Sequence, residues 1–327
     1  MDFAETLKLA VLAVAIEAFV GYPQRLFHLI GHPVGWIGQV IALADHKFNN
    51  KNRSFGVRLA AGAATLTLLL MVAGSIAHFI SAGLASAGLP PPITLTLTAL
   101  IGSSLIAQRS LAAHVAAVAK ALEQGVEQGR EAVAKIVGRD VQQLDESGVA
   151  SAAIESLAEN FSDGVVAPAL WIALGGLPGG LCYKAINTAD SMIGHRTERY
   201  AAFGFASAKL DDIVNYCPAR LSALLAAIAS LFTKGASFKN ALRTIRRDAR
   251  GHPSPNAGWP EAAFAGALGL RLGGPRNYGD VKVTVAWIGT GERASANDIF
   301  RALGLYRRAC AVHWLALAIM ALATSLA

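Results

Sequence analysis

Charge is scarce in this chain. Asp, Glu, Lys and Arg make up 16% of its 327 residues, against about 25% in an ordinary soluble domain. Hydrophobic residues supply 54% and the mean hydropathy is +0.43, so a surface wetted on all sides is excluded and a membrane protein is indicated. Cysteine is also sparse: Cys182, Cys217 and Cys310 form no CxxC, which excludes a disulfide framework and a zinc ribbon. There is no HExxH, no GxSxG and no Walker A loop. GGLPGG (175–180) lacks the Lys-Ser/Thr that would make it a phosphate cradle and reads as a hinge. Eight histidines assemble no metal site; His28 and His32 are four apart, but Gly31 and Pro33 break the helix such a pair needs. No Lys/Arg tract is interleaved with stacking aromatics, so the +7 net charge is not a nucleic-acid footprint. The first residues carry Asp2 and Glu5 in place of a basic n-region, and read as a retained helix. No strand alternation persists and no repeat is found, so the chain reads all-α.

Apolar runs are what the chain does have. Leu59–Ile80 is free of Lys, Arg, Asp and Glu, and at about 1.5 Å per residue it covers a hydrocarbon core of about 30 Å. Leu7–Val20, Ile213–Phe232 and Ala309–Ala327 are further spans, and Ile93–Ala107 is expected to continue as helix through Ala121. Lys47, Lys51, Arg53 and Arg58 put the 45–58 loop inside. Val165–Leu181, with Pro168, Pro178 and paired glycines, reads as re-entrant or in-plane. The expected architecture is a polytopic integral membrane helical bundle with re-entrant or broken helices and cytoplasmic helical segments. It forms one membrane-embedded domain over 1–327, with a helical insertion at about 108–164 and polar strings at 155–220 and 252–280. Arg243, Arg246, Arg247 and Arg250 share a helix face; a lipid-facing surface and a phosphate clamp both fit them.

Polar strings interrupt this apolar background. Ionisable groups are costly beside membrane segments and are retained for a purpose. Glu155, Glu159 and Asp163 fall at i, i+4 and i+8, with Asn160 beside them and Gly164 and Pro168 ending the helix. Such carboxylates suit a hard cation; a solvated acidic face is the alternative. NTADSMIGHR supplies Asn187, Asp190, Ser191, His195 and Arg196, and KLDDIVNYCPAR supplies Asp211, Asp212, Asn215 and Arg220. Asp190, and either Asp211 or Asp212, also fit as helix N-caps. In 254–274, Ser254 and Asn256 stand in a loop, Glu261 opens a helix, and Ala263, Gly266, Ala267 and Gly269 suit close packing.

The strings HPVGWIG (32–38), GRD (138–140), ESLAENFSDGVVAP (155–168), NTADSMIGHR (187–196), LDD-x-x-N-x-x-PARL (210–221) and SPNAGWPEAAFAGALGLRLGG (254–274) together resemble the CbiB/CobD-type cobalamin biosynthesis proteins. The likeness runs in order to about residue 280. It implies a multi-pass inner-membrane adenosylcobinamide-phosphate synthase with its active site on the cytoplasmic side. Such an enzyme uses Mg²⁺ and ATP to join adenosylcobyric acid, a corrinoid, to (R)-1-amino-2-propanol or its phosphate. Membrane lipid and other cobalamin assembly enzymes are the implied partners; nucleic acid is not.

Within that reading, Glu159, Asp163, Asp190 and Asp212 would hold the metal, with Asp211 beside them. Arg196 and Arg220 would neutralise phosphoryl charge, and His195 would take a proton from the attacking amine. Asn160, Asn187, Asn215 and Asn256 would grip the corrin amides, with Glu155, Ser191, Ser254 and Glu261 as further substrate contacts. Two departures stand out: the N-terminal acidic string appears as Glu17 with Gly21-Tyr22-Pro23, and Lys209 replaces the usual arginine. An AmpE-like membrane sensor and a transferase acting on a lipid or CDP-alcohol diphosphate are the competing readings. The first would not need the NTADS, LDD and SPNAG strings.

Overall fold

The computed structural model describes residues 2–138, 140–274, 276–278, 281–283 and 286–326; for 276–278 and 281–283 only the backbone is considered. Arg139 of the GRD string, and 275, 279 and 280 of the 252–280 string, lie outside the described residues. In chain order the helices are α1 (Phe3–Phe19), α2 (Gln24–Ile30), α3 (Pro33–Phe48), α4 (Phe55–Ser86), α5 (Pro91–Ser103), α6 (Gln108–Leu122), α7 (Val126–Val133), α8 (Glu146–Phe161), α9 (Ala167–Ile193), α10 (Phe205–Val214), α11 (Tyr216–Ser230), α12 (Phe238–Asp248), α13 (Gly258–Leu268) and α14 (Ala296–Leu326). Five short strands follow α13: β1 (Leu270–Gly273), β2 (Arg276–Tyr278), β3 (Val281–Val283), β4 (Trp287–Ile288) and β5 (Glu292–Arg293). The protein is an all-α polytopic membrane protein, and the strands are its one non-helical addition. β1 pairs antiparallel with β4 and parallel with β5, and β2 pairs antiparallel with β3.

The chain divides into two compact units: Met1–Ala107 with Ala167–Asn215 and Leu317–Ala327, and Gln108–Val166 with Tyr216–Ala316. In the first, α9 packs against α1, α3, α4, α5 and α10. A capping box between Asp2 and Glu5 starts α1. Its Leu7, Leu9, Ala10 and Ala13 are fully buried, and Thr6 Oγ1 donates to the Ala173 carbonyl at 2.7 Å. Ile37, Ile41, Leu66, Leu69, Ala185, Ala189, Ile193 and Phe203 form a second core. There Gly62 lets α4 close on the Phe203 carbonyl, where a Cβ would overlap it. Leu68, Met71, Val72, Ile76 and Phe79 of α4 face outward, as a lipid-facing helix requires.

Helices long and apolar enough to cross a membrane are Gln24–Phe48, Phe55–Ser86, Glu146–Ile193 and Ala296–Leu326, and the α10–α11 pair, bent by 45°, makes a fifth candidate. The run Gln24–Phe48 was obscured in the sequence by its break at Gly31 (φ 77°). Tyr22 Oη and Trp36 Nε1 brace that turn by donating to the Gly31 and Ile30 carbonyls.

Several expectations are corrected. Helix does not run from Ile93 through Ala121: α5 stops at Ser103. Ser103 and Ser104 hydroxyls donate to the Leu100 and Ile101 carbonyls, and such local bonds compete with the helix ladder. The helical insertion at about 108–164 is made of separate helices, with breaks at Gly125 (φ 145°) and after Val133. Gly164 and Pro168 do not end α8. A π turn at Ser162–Val166 absorbs them and carries the helix on into α9, because the wider turn re-registers the ladder around a residue with no N–H. Val165–Leu181 is therefore part of a longer helical run, broken at Gly175 and Gly176 (φ 61°). Arg58 is no loop charge: it is buried in α4 and donates to Asn49 Oδ1 and the Arg199 carbonyl. Asn49 and Arg199 both bind Asp45, which closes a polar network between α3, α4 and the 198–200 loop, buried at Asp45, Asn49 and Arg58 and exposed at Arg199.

In the second unit α13 is the hub, packed against α8, α11, α12 and β1 and buried along nearly its whole length. Its composition explains this. Added Cβ atoms at Gly266 would lie 2.6 Å from the Asn240 carbonyl and from Thr244 Oγ1, and one at Gly258 would lie 2.5 Å from the Ala249 carbonyl. Small residues thus set the helix spacing. Asp248, at the end of α12, accepts from Arg247 and from the Gly289 amide at 2.7 Å. The Arg247 guanidinium, with help from that amide, holds the Asp248 carboxyl below the usual range.

Gly266→Ala should destabilise the protein by about 1–3 kcal/mol, lowering its unfolding temperature in detergent, whereas Gly56→Ala, with nothing within 4 Å of the added Cβ, should be neutral or stabilising. Asp248 contributes stability that is complete above the ordinary carboxyl value of 3.8 and fades as pH falls through the lowered native value. Amide exchange at Gly289 should therefore accelerate below that pH in the wild type, and Asp248→Asn should remove the acid dependence.

Candidate functional site

Each unit carries one polar cluster built from the motif strings. In the first, the C-terminal part of α9 presents Lys184, Asn187, Asp190 and Ser191 at helical spacing on one face. Across from it on α10, Asp211 is buried and its Oδ1 accepts from Asn187 Nδ2 at 3.4 Å. Asp190 and Asp212 both act electrostatically on Asp211, and Asp212 also meets Lys209 at 3.7 Å. At the α10–α11 bend, Asn215 is 1% exposed and its Oδ1 accepts from Tyr183 Oη at 2.9 Å. Its Nδ2, on the Asp211 side of the cluster, makes no hydrogen bond within 3.5 Å to the described residues. A Cβ at Gly194 would overlap the Asp190 carboxylate, so the glycine of NTADSMIGHR makes room for its aspartate. His195 and Arg196 lie exposed beyond the end of α9. None of the three aspartates is an N-cap: Asp190 sits inside α9, Asp211 and Asp212 inside α10. The capping reading is overturned.

In the second unit a cavity of about 260 Å³ is lined by Glu155, Ser156, Glu159, Asn160, His252 and Glu261, with Ile136, Val137, Gly138 and Ala152. Glu155 Oε1 accepts from Ser151 Oγ at 2.9 Å and from the Gly273 amide at 2.7 Å, so it ties α8 to β1 as well as facing the cavity. Asn160 Nδ2 donates to the Ser156 carbonyl at 3.0 Å, leaving its Oδ1 toward other groups. The Ser254 amide donates to His252 Nδ1 at 3.0 Å. The neutral ring then carries its proton on Nε2, which faces Glu261 Oε1 at 3.8 Å. That separation exceeds a direct hydrogen bond. Asp163, in the π turn, does not line this cavity, since the turn takes it off the face shared by Glu155 and Glu159.

Beside it, Arg220 is stacked between the rings of Tyr216 (3.5 Å) and Trp259 (4.4 Å). It donates to Asn256 Oδ1 at 2.8 Å and to the Pro255 carbonyl at 3.2 Å. Ser254 Oγ accepts from the Asn256 and Ala257 amides. Arg220 and Ser254 thus hold the 254–257 loop in shape.

The proposed metal ligands are divided, Glu159 and Asp163 in one unit, Asp190 and Asp212 in the other. Among the described residues, no three His, Cys, Asp or Glu side chains are arranged to hold a metal ion. Lys184, Tyr183 and His252 escaped the sequence reading. Lys184 was recoverable, three residues before Asn187 on the same helix face; His252 was passed over because its partner Glu261 is nine residues away across a loop.

Comparison with known proteins bears on what these clusters serve. The family model described as CobD/Cbib protein matches residues 10–306. The chain belongs to the CobD/CbiB family. Proteins named cobalamin biosynthesis protein CobD are 50% identical in Brucella anthropi (92% of this chain, 93% of that one), 46% in Rhodobacter capsulatus (95% of each) and 44% in Rhizobium meliloti (98% of each). No solved structure matches. Family membership gives the chain a role in cobalamin biosynthesis.

Arg220→Lys should loosen the 254–257 loop, since lysine neither stacks as a plane nor forks to two acceptors. Hydrogen exchange at 254–258 should rise and Trp259 fluorescence should shift; an unchanged loop would show that Arg220 does not hold it.

Proposed function

We propose that the protein is an ATP-dependent amide ligase that joins adenosylcobyric acid to (R)-1-amino-2-propanol or its O-phosphate, giving adenosylcobinamide or its phosphate. The observation that carries this reading is a coincidence of position. The strings that resemble the family (155–168, 187–196, 210–221 and 254–274) are the ones that supply both polar clusters.

The donor chemistry fits the cofactors. Among the described residues no three carboxylates converge here, but one or two of Asp190, Asp211 and Asp212 would suffice for a hard cation that keeps most of its shell for water and phosphate. Lys184 and the unpartnered Nδ2 of Asn215 suit phosphate oxygens. ATP, when bound, supplies the activation that amide formation from a carboxylate needs. The chain's own residues have the remaining tasks. The cavity lined by Glu155, Glu159 and Glu261 is complementary to an ammonium group, and 260 Å³ holds a small amino alcohol. Glu261 lines the cavity with His252 Nε2 at 3.8 Å, and its carboxylate, in preference to the exposed His195, is assigned the amine's proton. Asn160 and Asn256 offer amides to the corrinoid. Use of cytosolic ATP would require the Asp190–Asp211–Asp212 cluster to open to the cytoplasmic face of the inner membrane, where other cobalamin assembly enzymes would also meet the chain.

Purified full-length protein mixed with adenosylcobyric acid, aminopropanol phosphate and Mg-ATP should yield the amide, read as corrinoid mass. Asp190→Asn and Asp212→Asn should each abolish turnover in folded protein, and Glu261→Gln should raise the pH at which turnover is optimal. Absence of product with working controls would sink the ligase reading; near-normal turnover in both aspartate variants would remove their phosphate–metal role.

A further inference from the structure

Helix α12 carries a function that the ligase reading leaves unused. Its inner side, Ala241, Thr244 and Ile245, is buried against α13. Its outer side exposes Lys239, Arg243 and Arg246 along a shallow groove shared with Phe238 and Leu242. Arg247 is excluded from this set because Asp248 holds it. Immediately before the helix, at the end of α11, Leu231 and Phe232 are 61% and 66% exposed, and Lys234 is exposed two residues on. Two bare apolar side chains ending a candidate span, followed by a row of cations, have the order of a membrane interface: hydrocarbon first, headgroups next.

We infer that the outer face of α12 is a binding surface for anionic phospholipid headgroups of the membrane in which the chain sits. The helix has already spent its apolar side on α13, so it does not insert. It attracts through charge alone, which makes the contact sensitive to salt. A soluble nucleotide fits less well. The cations are spread over about 10 Å of helix along an open surface, and no glycine-rich loop gathers them around one phosphate group. This inference does not depend on the reaction catalysed.

The test uses full-length protein in neutral detergent, titrated with phosphatidylglycerol or with phosphatidylcholine of the same chains, with bound lipid counted by native mass spectrometry. Wild type should retain phosphatidylglycerol preferentially, and less so at high ammonium acetate. Arg243→Gln with Arg246→Gln should weaken that preference about thirtyfold. Lys120→Gln with Lys135→Gln, which removes two exposed charges elsewhere in the same unit, should leave it intact. Equal retention by the α12 double variant would overturn the inference, as would equal retention of the two lipids. Displacement of the lipid by inorganic diphosphate as effectively as by added phosphatidylglycerol would also overturn it, and would assign the face to a soluble phosphate.

Discussion

A buried polar side chain beside lipid has no water to turn to, and the fold is arranged around that constraint. Asp45, Asn49, Arg58 and Arg199 satisfy one another around the start of α4. Glu155 draws a serine hydroxyl and a strand amide onto one oxygen. Arg220 lies over the rings of Tyr216 and Trp259 and is matched at its donors. Removing Asn49, for example, would leave the buried Arg58 and Asp45 each short of a partner, a larger loss than the bond itself. The informative exception is Asn215 Nδ2 in the first cluster, buried with no hydrogen bond to the described residues.

Small residues are the second requirement. Without a hydrophobic force between helices in lipid, close packing supplies the attraction. Gly62 against the Phe203 carbonyl and Gly266 against Asn240 bring backbones nearly into contact. Gly194 applies the same economy of volume to chemistry, by leaving space for the Asp190 carboxylate. Among the motif-string glycines, Gly194, Gly258 and Gly266 are thus accounted for by what a Cβ would strike, whereas Gly35 and Gly138 have open space there.

Much of this was legible in the residues. Apolar runs gave the α4 and α14 spans, the break at Gly31 separated His28 from His32, and the asparagines and carboxylates of the polar strings do gather, Asn187 with Asp211 and Glu155 with Glu159 and Glu261. What was not legible depended on local hydrogen-bond geometry. Nothing in Gly164-to-Pro168 announces a π turn in preference to a stop, and nothing in Ser103-Ser104 shows that the hydroxyls will take the helix carbonyls. Asp190, Asp211 and Asp212 are common N-cap residues, and only the surrounding helix shows that they are interior. The short strands after α13 are held by pairing across distant segments, such as Leu270 with Glu292, which leaves no periodic trace.

The central claim is that the two polar clusters are ligand sites and not merely satisfied buried networks. It is tested most directly by hydrogen exchange on the full-length protein in detergent, with and without adenosylcobyric acid, aminopropanol phosphate and a non-hydrolysable Mg-nucleotide together. The account predicts new protection confined to 155–160, 184–191, 211–215 and 252–261. Ligand binding that leaves all four segments unchanged, or that protects only the Asp45–Arg58–Arg199 network, would contradict it.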